Sequence, residues 1–570
     1  MTTSRWIVLP ANEPLALRLS MELRIPLLLS RLLTQRGITS VESAQSFFYP
    51  DLYDLHNPFL MNGMDTAVAR INTAVEKRER ILLYGDYDVD GTTSVALMYS
   101  FLSGFHRNLD FYLPDRDKEG YGVSVAGIEY ARQTNCKLII AMDCGIKAND
   151  AVTLAKSYGI DFIVCDHHLP EGGLPDAIAN LDPKRPDCPY PYKELSGCGI
   201  AFKLVQALAM HHNMPVEELT SLLDLLAMSI ACDIVPMTGE NRVLTHFGLL
   251  CLQYHPRTGI AALLEYLQKK PPFTINDLVF GLGPIINAAG RLGDARDAVY
   301  TMLAEDAEMA KKAAGELAVR NEQRRAVDHA TTVAAKIRVQ ESPEWEKKKS
   351  IVLYDPLWHK GIIGITASRM TETFHRPAVV LMLSADRAVG SARSVPGFDL
   401  YAALRKCEDL FYHFGGHEHA AGLQMPPENI PAFTERFEKI AQEQMTPENS
   451  VPMVEICSAI RLEELTPEFI RLLSQFEPFG PGNRNPVFSA TNVIDTSKSR
   501  LLNNNHVRLS LRHADSEQIF KGVGFGLGEA FSALKANQPF DIAFNVREEE
   551  WRGERSITLY VKGIRQGARE

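Results

Sequence analysis

Three aspartates lie within one short segment, residues 86–91, where the sequence reads DYDVDG. The segment directly follows the apolar run 81–85, so Asp86, Asp88 and Asp90 occupy the loop after a predicted strand. Carboxylates this close repel one another and raise each other's pKa unless a cation neutralises them. The spacing therefore predicts a bound divalent metal ion, and an acidic turn with solvated, separated side chains is the alternative.

More residues of this kind follow later apolar runs. Asp143 comes at the end of the run 137–142, and three residues follow the run 161–165: Asp166, His167 and His168. In parallel α/β sheets the carboxyl ends of neighbouring strands meet at one edge, where ligands bind. Asp233 follows the apolar stretch 222–232, where a carboxylate is costly unless it is paired or bound to a metal. We expect these side chains to converge on one site.

The residue types restrict the metal. Carboxylates with a single imidazole suit Mg²⁺ or Mn²⁺, and the absence of thiolate ligands disfavours zinc. The nine cysteines are spread along the chain without a CxxC pair, so neither a disulfide framework nor a zinc site is predicted. Two divalent ions ~3.5 to 4 Å apart are the usual means of attack on phosphorus in metal phosphodiesterases. The residue types thus favour Mn²⁺ or Mg²⁺, and a pair of such ions would suit attack on a phosphodiester.

The elements that position these residues alternate between short apolar runs and helical stretches. Five runs are predicted as strands: 81–85, 109–113, 137–142, 161–165 and 177–181. Apolar runs separated by ~10 to 15 helical residues indicate a parallel sheet with right-handed crossovers. A doubly wound α/β domain is therefore the expected setting of the acidic site.

The rest of the chain predicts a multidomain α/β protein. Helical periodicity dominates in 201–270 and 294–339, and the second stretch predicts a long connecting helix or two. A second α/β unit follows the break at 342–350. Five short strands from residue 487 onward are typical of a small barrel such as the OB-fold. The predicted segments are a helical appendage (1–45), the sheet domain (46–260), a helical connector (261–345), a second α/β domain (346–447) and a C-terminal OB-fold β-barrel (448–570).

Composition excludes some classes of protein. With 45% hydrophobic and 23% charged residues, the chain has the make-up of a folded globular protein. Its apolar stretches are shorter than the ~20 residues of a membrane-spanning helix, and charged residues interrupt the N-terminal region where a signal peptide would need an apolar core. We expect a cytoplasmic protein without a membrane partner. The net charge of −10 argues against nucleic acid, but from Glu455 onward basic and acidic residues number 15 each, so charge leaves that partner open.

The acidic residues resemble the motifs of a known superfamily, the DHH phosphoesterases. The matching stretches are Asp88-Val89-Asp90, Asp143-Cys144-Gly145, Asp166-His167-His168 and Asp233. The resemblance implies that Asp88 holds one metal ion and that Asp143 bridges. It gives the second ion to Asp90, His167 and Asp233, and it makes Asp86 a further metal ligand where other branches have a histidine. His168 would lie beside the reacting phosphate as donor or general acid, and Asp166 would orient the loop.

Further stretches resemble one family of that superfamily, the RecJ exonucleases. They are residues 283–294, 358–361, 390–394, 415–422 and 478–483. This resemblance implies that Arg291 contacts the nucleic-acid backbone and that four residues bind the nucleotide or its 5′ phosphate: Ser391, Arg393, Gly416 and His417. Guanidinium groups offer forked donors to phosphate oxygens. The turn at Gly416 is expected to precede a helix of small residues and to present backbone N–H groups.

The resemblance implies a single-stranded-DNA-specific exonuclease that acts 5′ to 3′ and releases 5′ mononucleotides, in DNA repair and recombination. Its catalytic residues would be His168, Asp143, Asp166 and Arg291. The expected partner is single-stranded DNA, with recruitment by a single-strand-binding protein or a helicase, and the enzyme is expected to be a monomer. Two alternatives remain: a DHH oligoribonuclease or cyclic-dinucleotide phosphodiesterase, which would lack the barrel, and a non-catalytic DNA-binding adaptor, which would lack some of the acids.

Overall fold

The structure is a computed structural model that describes residues 4–170, 172–534, 538–551 and 554–566. The chain forms two compact units, which we call the central unit and the terminal unit. The central unit comprises Tyr49–Val327 and Pro478–Asn483, and the terminal unit comprises Met1–Phe48, Asp328–Glu477 and Arg484–Glu570.

The terminal unit begins with one strand and three helices: β1 (Arg5–Val8), α1 (Glu13–Leu23), α2 (Leu27–Gln35) and α3 (Val41–Phe48). The leucines that predict an amphipathic helix in α2 are buried along one face: Leu28, Leu29, Leu32 and Leu33. Strand β1 departs from the predicted helical appendage, because its extended conformation depends on pairing with a strand far along the chain.

The central unit is built on a sheet whose strands alternate with helices. The elements are α4 (Met64–Glu76), β2 (Ile81–Gly85), α5 (Val89–Leu102), β3 (Leu109–Tyr112), α6 (Val125–Gln133), β4 (Leu138–Met142), α7 (Asn149–Ser157), β5 (Asp161–Cys165) and β6 (Ala179–Leu181). The strand order is β3-β2-β4-β5-β6, and all neighbouring pairs are parallel. Every residue of β2 and β4 is buried, as expected for a sheet covered on both faces. The predicted doubly wound domain is confirmed.

Helices complete the central unit. They are α8 (Gly197–His211), α9 (Leu223–Cys232), α10 (Gly239–Tyr254), α11 (Thr258–Tyr266), α12 (Ile275–Asp277), α13 (Gly283–Leu292), α14 (Arg296–Leu303) and α15 (Ala307–Glu341). Helix α15 has 35 residues and continues into the terminal unit, which confirms the predicted long connecting helix. Helices α5, α8 and α9 share one apolar core with the sheet, and this core fixes the helix ends that face the acidic loops.

A second α/β domain follows in the terminal unit. Its elements are β7 (Ile351–Tyr354), α16 (Lys360–Phe374), β8 (Ala378–Ser384), β9 (Arg387–Arg393), α17 (Leu400–Arg405), β10 (His413–His417), β11 (Ala420–Met425) and α18 (Ile430–Gln444). The sheet order is β10-β11-β9-β8-β7, and only β7 and β8 pair in parallel. Strand β10 is therefore at the edge of this sheet, with β11 as its neighbour on one side.

The chain ends in a barrel. After β12 (Met453–Ile456), its elements are β13 (Ser458–Ala459), α19 (Pro467–Ser474), β14 (Phe488–Asp495), β15 (Arg500–Leu502), β16 (His506–His513), β17 (Phe520–Gly524), α20 (Gly528–Ser532), β18 (Phe540–Trp551) and β19 (Glu554–Gln566). Strands β14, β18, β19, β17 and β16 pair in that order, and β14 also pairs with β16. This last pairing closes five strands into a ring, as predicted for an OB-fold.

The first strand of the chain belongs to the same unit as the barrel. Arg5–Val8 of β1 pair in parallel with Met453–Ile456 of β12, which directly precedes the barrel strands. This pairing joins residues about 450 positions apart, so no local pattern predicts it. Among the described residues, none of the helices combines the length and the apolar character that crossing a membrane requires.

Candidate functional site

Three neighbouring strands of the central unit end at the same level. Gly85, Met142 and Cys165, the last residues of β2, β4 and β5, are register partners across the sheet. The next residue along each strand is therefore an aspartate at the same edge: Asp86, Asp143 and Asp166. The structure thus brings together the acids that the sequence predicts at the strand ends.

His167 lies at the centre of this acidic edge. Its Nε2 atom is 3.3 Å from Asp143 Oδ1, 3.6 Å from Asp233 Oδ2 and 3.8 Å from Asp90 Oδ2. Potential ligand atoms of two groups lie within 4.8 Å of one another: Asp90, His167 and Asp233, and Asp143, His167 and His168. One imidazole surrounded by carboxylates is the donor set of a hard divalent cation.

Several of these buried atoms have no hydrogen-bond partner among the described residues. Both carboxylate oxygens of Asp86 and both ring nitrogens of His167 are in this condition. A buried polar atom without a partner costs ~1 to 3 kcal/mol, and a bound cation removes that cost. The residues therefore fit a divalent metal ion.

The pKa values of the acids indicate the same need for positive charge. Burial, followed by the charges of neighbouring aspartates, raises the pKa of Asp233 to about 9 and that of Asp143 well above its ordinary value. The same two causes raise the pKa of Asp86 and Asp88. A cation among the carboxylates reverses these shifts because it favours the ionised forms.

Burial also sets the state of His167. It lowers the pKa of the imidazole to about 4, so the ring is neutral at physiological pH. A neutral imidazole has a free lone pair on one nitrogen and is the form that binds a metal.

The acidic loop is held in place by close backbone contacts. Asp88 is the N-cap of α5, and its carboxylate accepts the N–H of Gly91 at 3.1 Å. A Cβ atom on Gly91 would lie 2.4 Å from both the backbone nitrogen and the backbone oxygen of Asp86. The loop between β2 and α5 therefore requires glycine at this position.

His168 and Asp166 form a pair beside the acids. The carboxylate of Asp166 accepts from the Nδ1 of His168 at 2.6 Å and from the N–H groups of Ile146, His167 and His168. Burial alone would raise the pKa of Asp166, but the His168 hydrogen bond and charge hold it below its ordinary value. Burial likewise opposes protonation of His168, yet the bond to Asp166 raises its pKa.

Tyr121 completes this group. Its hydroxyl donates to the backbone oxygen of Asp143 at 3.0 Å and lies 3.1 Å from His168 Nε2. The Tyr121 oxygen is also 3.5 Å from Nδ1 of His168, so it lies beside the ring edge between the two nitrogens. The raised pKa of His168 favours its protonated form at the edge of the site.

Arg291 lies close to other cations of the central unit. Burial, followed by the charges of Arg116 and Arg324, lowers the pKa of Arg291 to about 10. The guanidinium of Arg116 stacks on the Tyr87 ring at 4.8 Å from the centroid. Three guanidinium groups near the acidic loop form an environment that attracts anions such as phosphates.

The other residues predicted to bind the nucleotide lie in the terminal unit. Arg393 in β9 pairs with Ala420 in β11, which in turn pairs with His417 in β10. The Nη1 atom of Arg393 donates to Ser391 Oγ at 3.1 Å. Burial, followed by the charges of His419 and Arg393, lowers the pKa of His417. The sheet thus places Ser391 and Arg393 of β9 and His417 of β10 on the two strands that flank β11.

The prediction of a helix of small residues after Gly416 is wrong. Residues 413–425 instead form an antiparallel hairpin of β10 and β11. Gly416 has φ +147°, and a Cβ atom there would lie 2.3 Å from the Ala420 carbonyl oxygen. Small residues suit either a helix or closely paired strands, and here the pairing of β11 with β9 favours strands. Gly416 therefore offers its backbone groups from an edge strand.

Sequence reasoning missed several residues that contact the site. Tyr121 follows no strand end, and Arg116 lies in the loop after β3. The backbone N–H groups of Gly197 and Cys198 and the hydroxyl of Ser229 donate hydrogen bonds to the carboxylate of Asp90. The sequence did contain signals of these contacts. Ser196 is followed by the small residues that begin α8, and Ser229 lies four residues before Asp233.

Metal binding should stabilise the central unit. Because the acids repel one another without a cation, Mn²⁺ at about 100 times its dissociation constant should raise the free energy of unfolding by about 2.7 kcal/mol. Unfolding in urea, with Mn²⁺ or with EDTA, measures the effect. NaCl at the same ionic strength is the control, and an equal shift with NaCl would show that the acids need only screening.

Family comparisons agree with this arrangement. Three family descriptions match the chain: "DHH family, N-terminal domain" at residues 80–230, "DHHA1 domain" at 347–443 and "RecJ OB domain" at 458–563. The first covers strands β2 to β6 and the acids from Asp86 to Asp166, and it ends before Asp233. The other two cover the second α/β domain and the barrel.

Individual relatives match most of the chain. A single-stranded-DNA-specific exonuclease RecJ of Bacillus subtilis is 34% identical over 98% of this chain and 70% of its own length. The crystal structure of RecJ from Thermus thermophilus in complex with Mn²⁺ has a TM-score of 0.85 at 26% identity, covering 100% of this chain and 80% of that one. The Mg²⁺ complex from the same organism has a TM-score of 0.78 at 25% identity, with 100% and 79% coverage. This chain belongs to the RecJ family.

Proposed function

We propose that this protein is a metal-dependent exonuclease specific for single-stranded DNA, which acts from the 5′ end and releases 5′ mononucleotides. The observation that carries the proposal is the position of His167 Nε2 within 3.8 Å of three aspartates, the buried Asp90 and Asp143 and the half-buried Asp233. Carboxylates this close and this poorly solvated are costly to the folded state unless a cation neutralises them. The RecJ relative from Bacillus subtilis is named as a single-stranded-DNA-specific exonuclease, which supports the substrate.

Two divalent ions, Mn²⁺ or Mg²⁺, are the proposed cofactors. The Thermus thermophilus structures contain these ions, and the carboxylate-rich donor set suits both. Asp88 would hold one ion, Asp143 would bridge, and Asp90, His167 and Asp233 would hold the other, with Asp86 as a further ligand. The ions supply the Lewis acidity that activates water and neutralises charge on the phosphodiester.

The chain's own residues orient the substrate and handle protons. Cleavage breaks the bond between phosphorus and the 3′ oxygen of the terminal nucleotide, and the remaining strand keeps a new 5′ phosphate. His168, held by Asp166 through Nδ1, has a proton to give to the departing 3′ oxygen. Asp166 keeps the imidazole oriented and cationic, and Arg291 binds a phosphate of the strand.

Binding of the 5′ phosphate is assigned to the terminal unit. Ser391, Arg393, Gly416 and His417 would take the 5′ phosphate, because hydroxyl, guanidinium, backbone N–H and imidazole groups all donate to phosphate oxygens. The barrel exposes Phe525, 61% accessible, whose ring packs edge-on against His506 at 5.2 Å. Exposed aromatic side chains beside basic residues stack bases with little sequence preference.

Release of nucleotides from defined strands tests the function. The substrate is a 5′-phosphorylated single strand labelled at its 3′ end, incubated with Mn²⁺, Mg²⁺ or EDTA, next to the same strand in a blunt duplex. We expect progressive shortening from the 5′ end of the single strand only, with either metal and not with EDTA. Binding of the strand without any cleavage would contradict the proposal and favour a non-catalytic adaptor.

Arg393 gives a prediction about the 5′ phosphate. Replacing Arg393 by alanine removes a charged hydrogen bond worth ~1.5 to 3 kcal/mol, so KM for a 5′-phosphorylated strand should rise about 10- to 100-fold. The preference over a 5′-hydroxyl strand should disappear. Arg387 lies on the same strand β9 with an exposed side chain, so Arg387→Ala is the matched control. An unchanged phosphate preference in Arg393→Ala would assign the phosphate to other residues.

Other expectations for this chain stay predictions. They are recruitment by a single-strand-binding protein or a helicase, action as a monomer in the cytoplasm, and a role in repair and recombination. Analytical ultracentrifugation of the full chain tests the monomer, and two molecules per particle at micromolar concentration would contradict it.

A further inference from the structure

The carboxylate of Asp90 is surrounded by hydrogen-bond donors. Gly197 N–H donates to Oδ2 at 2.7 Å, Cys198 N–H donates to Oδ1 at 2.8 Å, and the Ser229 hydroxyl donates to Oδ1 at 2.6 Å. Asp90 is 1% accessible, and all three donors are buried. Two of the donors are the first backbone N–H groups of α8, whose positive end therefore faces the carboxylate.

A second serine extends this arrangement. The hydroxyl oxygens of Ser196 and Ser229 are 2.6 Å apart, and Ser196 Oγ also accepts the N–H of Gly199 at 3.1 Å. Each hydroxyl has one proton, and an ionised carboxylate only accepts. Ser229 uses its proton on Asp90, so Ser196 must donate to Ser229. The hydrogen bonds therefore run in one direction, from Gly199 through Ser196 and Ser229 to Asp90.

Ser229 also contacts a second predicted metal ligand. It lies in α9, and its backbone oxygen accepts the N–H of Asp233 at 2.9 Å. Asp233 is the C-cap of that helix, so this hydrogen bond to the Ser229 carbonyl fixes the backbone from which the Asp233 side chain extends. One residue thus holds Asp90 through its hydroxyl and Asp233 through its backbone.

We propose that Ser229 and Ser196 are positioning residues that fix Asp90 relative to Asp233, the two carboxylates that would share one ion with His167. With Oδ1 occupied by two donors and Oδ2 by one, the remaining lone pair on Oδ2 is the one directed toward His167, 3.8 Å away. The serines therefore determine which oxygen faces the ion. The inference rests on the proposed metal site but not on the identity of the nucleic acid.

Geometry distinguishes this role from ordinary burial of a serine. A serine within a helix usually bonds the carbonyl four residues earlier, as Ser94 does with the backbone oxygen of Asp90 at 2.7 Å. The Ser229 hydroxyl instead reaches a side chain 139 positions away in sequence. Removing such an outer partner of a ligand typically weakens metal affinity about 10- to 100-fold.

The test is Mn²⁺ binding to the full chain without DNA, with free Mn²⁺ measured by electron paramagnetic resonance. Ser229→Ala should weaken the affinity for one ion about 10- to 100-fold, with the other ion less affected. The matched control is Thr245→Val in the neighbouring helix α10, which removes a buried hydroxyl that has no hydrogen-bond partner among the described residues. This control should bind Mn²⁺ as the wild type does.

Ser196 provides the second measurement. Ser196→Ala should weaken the affinity for the same ion by a smaller factor. Ser196→Thr should bind Mn²⁺ as the wild type does, because it keeps the hydroxyl. When Ser229 is already alanine, Ser196→Ala should weaken the affinity no further. Wild-type Mn²⁺ affinity in a folded Ser229→Ala, or in Ser196→Ala if Ser229→Ala does not fold, would overturn the inference. If the wild type binds Mn²⁺ but does not cut DNA, the proposed function fails, and the positioning role is then judged by the Mn²⁺ affinities of the variants alone.

Discussion

Replacing Asp143 by asparagine should lower the rate of nucleotide release by about 1,000-fold or more, which corresponds to ~4 kcal/mol of lost transition-state stabilisation. The substitution keeps the size of the side chain and removes its charge. Asp143 follows β4 at the centre of the acidic edge, and its Oδ1 is 3.3 Å from His167 Nε2. As the proposed bridging ligand, it would contribute to both ions, so its loss should affect the reaction more than the loss of any peripheral acid.

The measurement is single-turnover release of mononucleotides from 5′-phosphorylated single strands at saturating Mn²⁺. Asp176→Asn is the matched control, because Asp176 belongs to the same domain but is 74% exposed and pairs with Lys156. We expect the control to match the wild type, since exposed ion pairs are worth little. If Asp143→Asn retained more than a tenth of the wild-type rate, Asp143 would not be a bridging ligand.

The same substitution should raise the free energy of unfolding when no metal is present. Burial and neighbouring carboxylates raise the pKa of Asp143 far above its ordinary value, so its charge opposes folding at neutral pH. Asparagine removes that repulsion. Loss of activity together with greater stability in EDTA separates a functional charge from a structural one.

The parts of this site that were predicted from the sequence are those that follow strand ends. Asp86, Asp143 and Asp166 each come directly after an apolar run, and the rule that parallel strands share one edge places them together. The strand bounds of β2 and β5 agree with the sequence interpretation at every residue. Local periodicity is sufficient here because the sheet is buried on both faces and its strands are uniformly apolar.

The parts that were not predicted depend on contacts between distant segments. Ser229 lies 139 positions from Asp90, and a serine within an apolar helix has no local signature of its partner. Helix α8 begins with small residues at Gly197, where a Cβ atom would lie 2.6 Å from that of Asp143. The sequence shows the glycine, but only the packing of α8 against the end of β4 shows why it is needed.

The hairpin of β10 and β11 was mispredicted for a related reason. Its residues Gly415, Gly416, Ala420, Ala421 and Gly422 have no side chain large enough to produce a period of 2 or 3.6. Pairing with β9 determines the conformation, and this pairing places Arg393 and His417 opposite the same residue. Where side chains are small, tertiary pairing decides between helix and strand.

Replacing Gly91 by alanine should destabilise the central unit by about 2 to 3 kcal/mol and weaken Mn²⁺ binding at the same time. The added Cβ atom would lie 2.4 Å from the nitrogen and the oxygen of Asp86. Backbone atoms of a buried strand end cannot rotate away as a side chain can, so the loop itself must move. Since Asp86, Asp88 and Asp90 all lie in that loop, the movement changes the position of several proposed ligands together.

A second glycine in a helix serves as the control for Gly91. Gly315 lies in α15, and a Cβ atom added there would have open space within 4 Å among the described residues. Gly315→Ala should therefore raise stability by about 0.5 to 1 kcal/mol through helix propensity. Unfolding in urea and Mn²⁺ titration of both variants give the comparison. Opposite signs of the two stability changes would show that close approach, and not helix propensity, requires glycine at position 91. Gly91→Ala with wild-type stability and wild-type Mn²⁺ affinity would contradict this account. The loop could then move without cost, and the contact between Gly91 and Asp86 would not hold the acids in place.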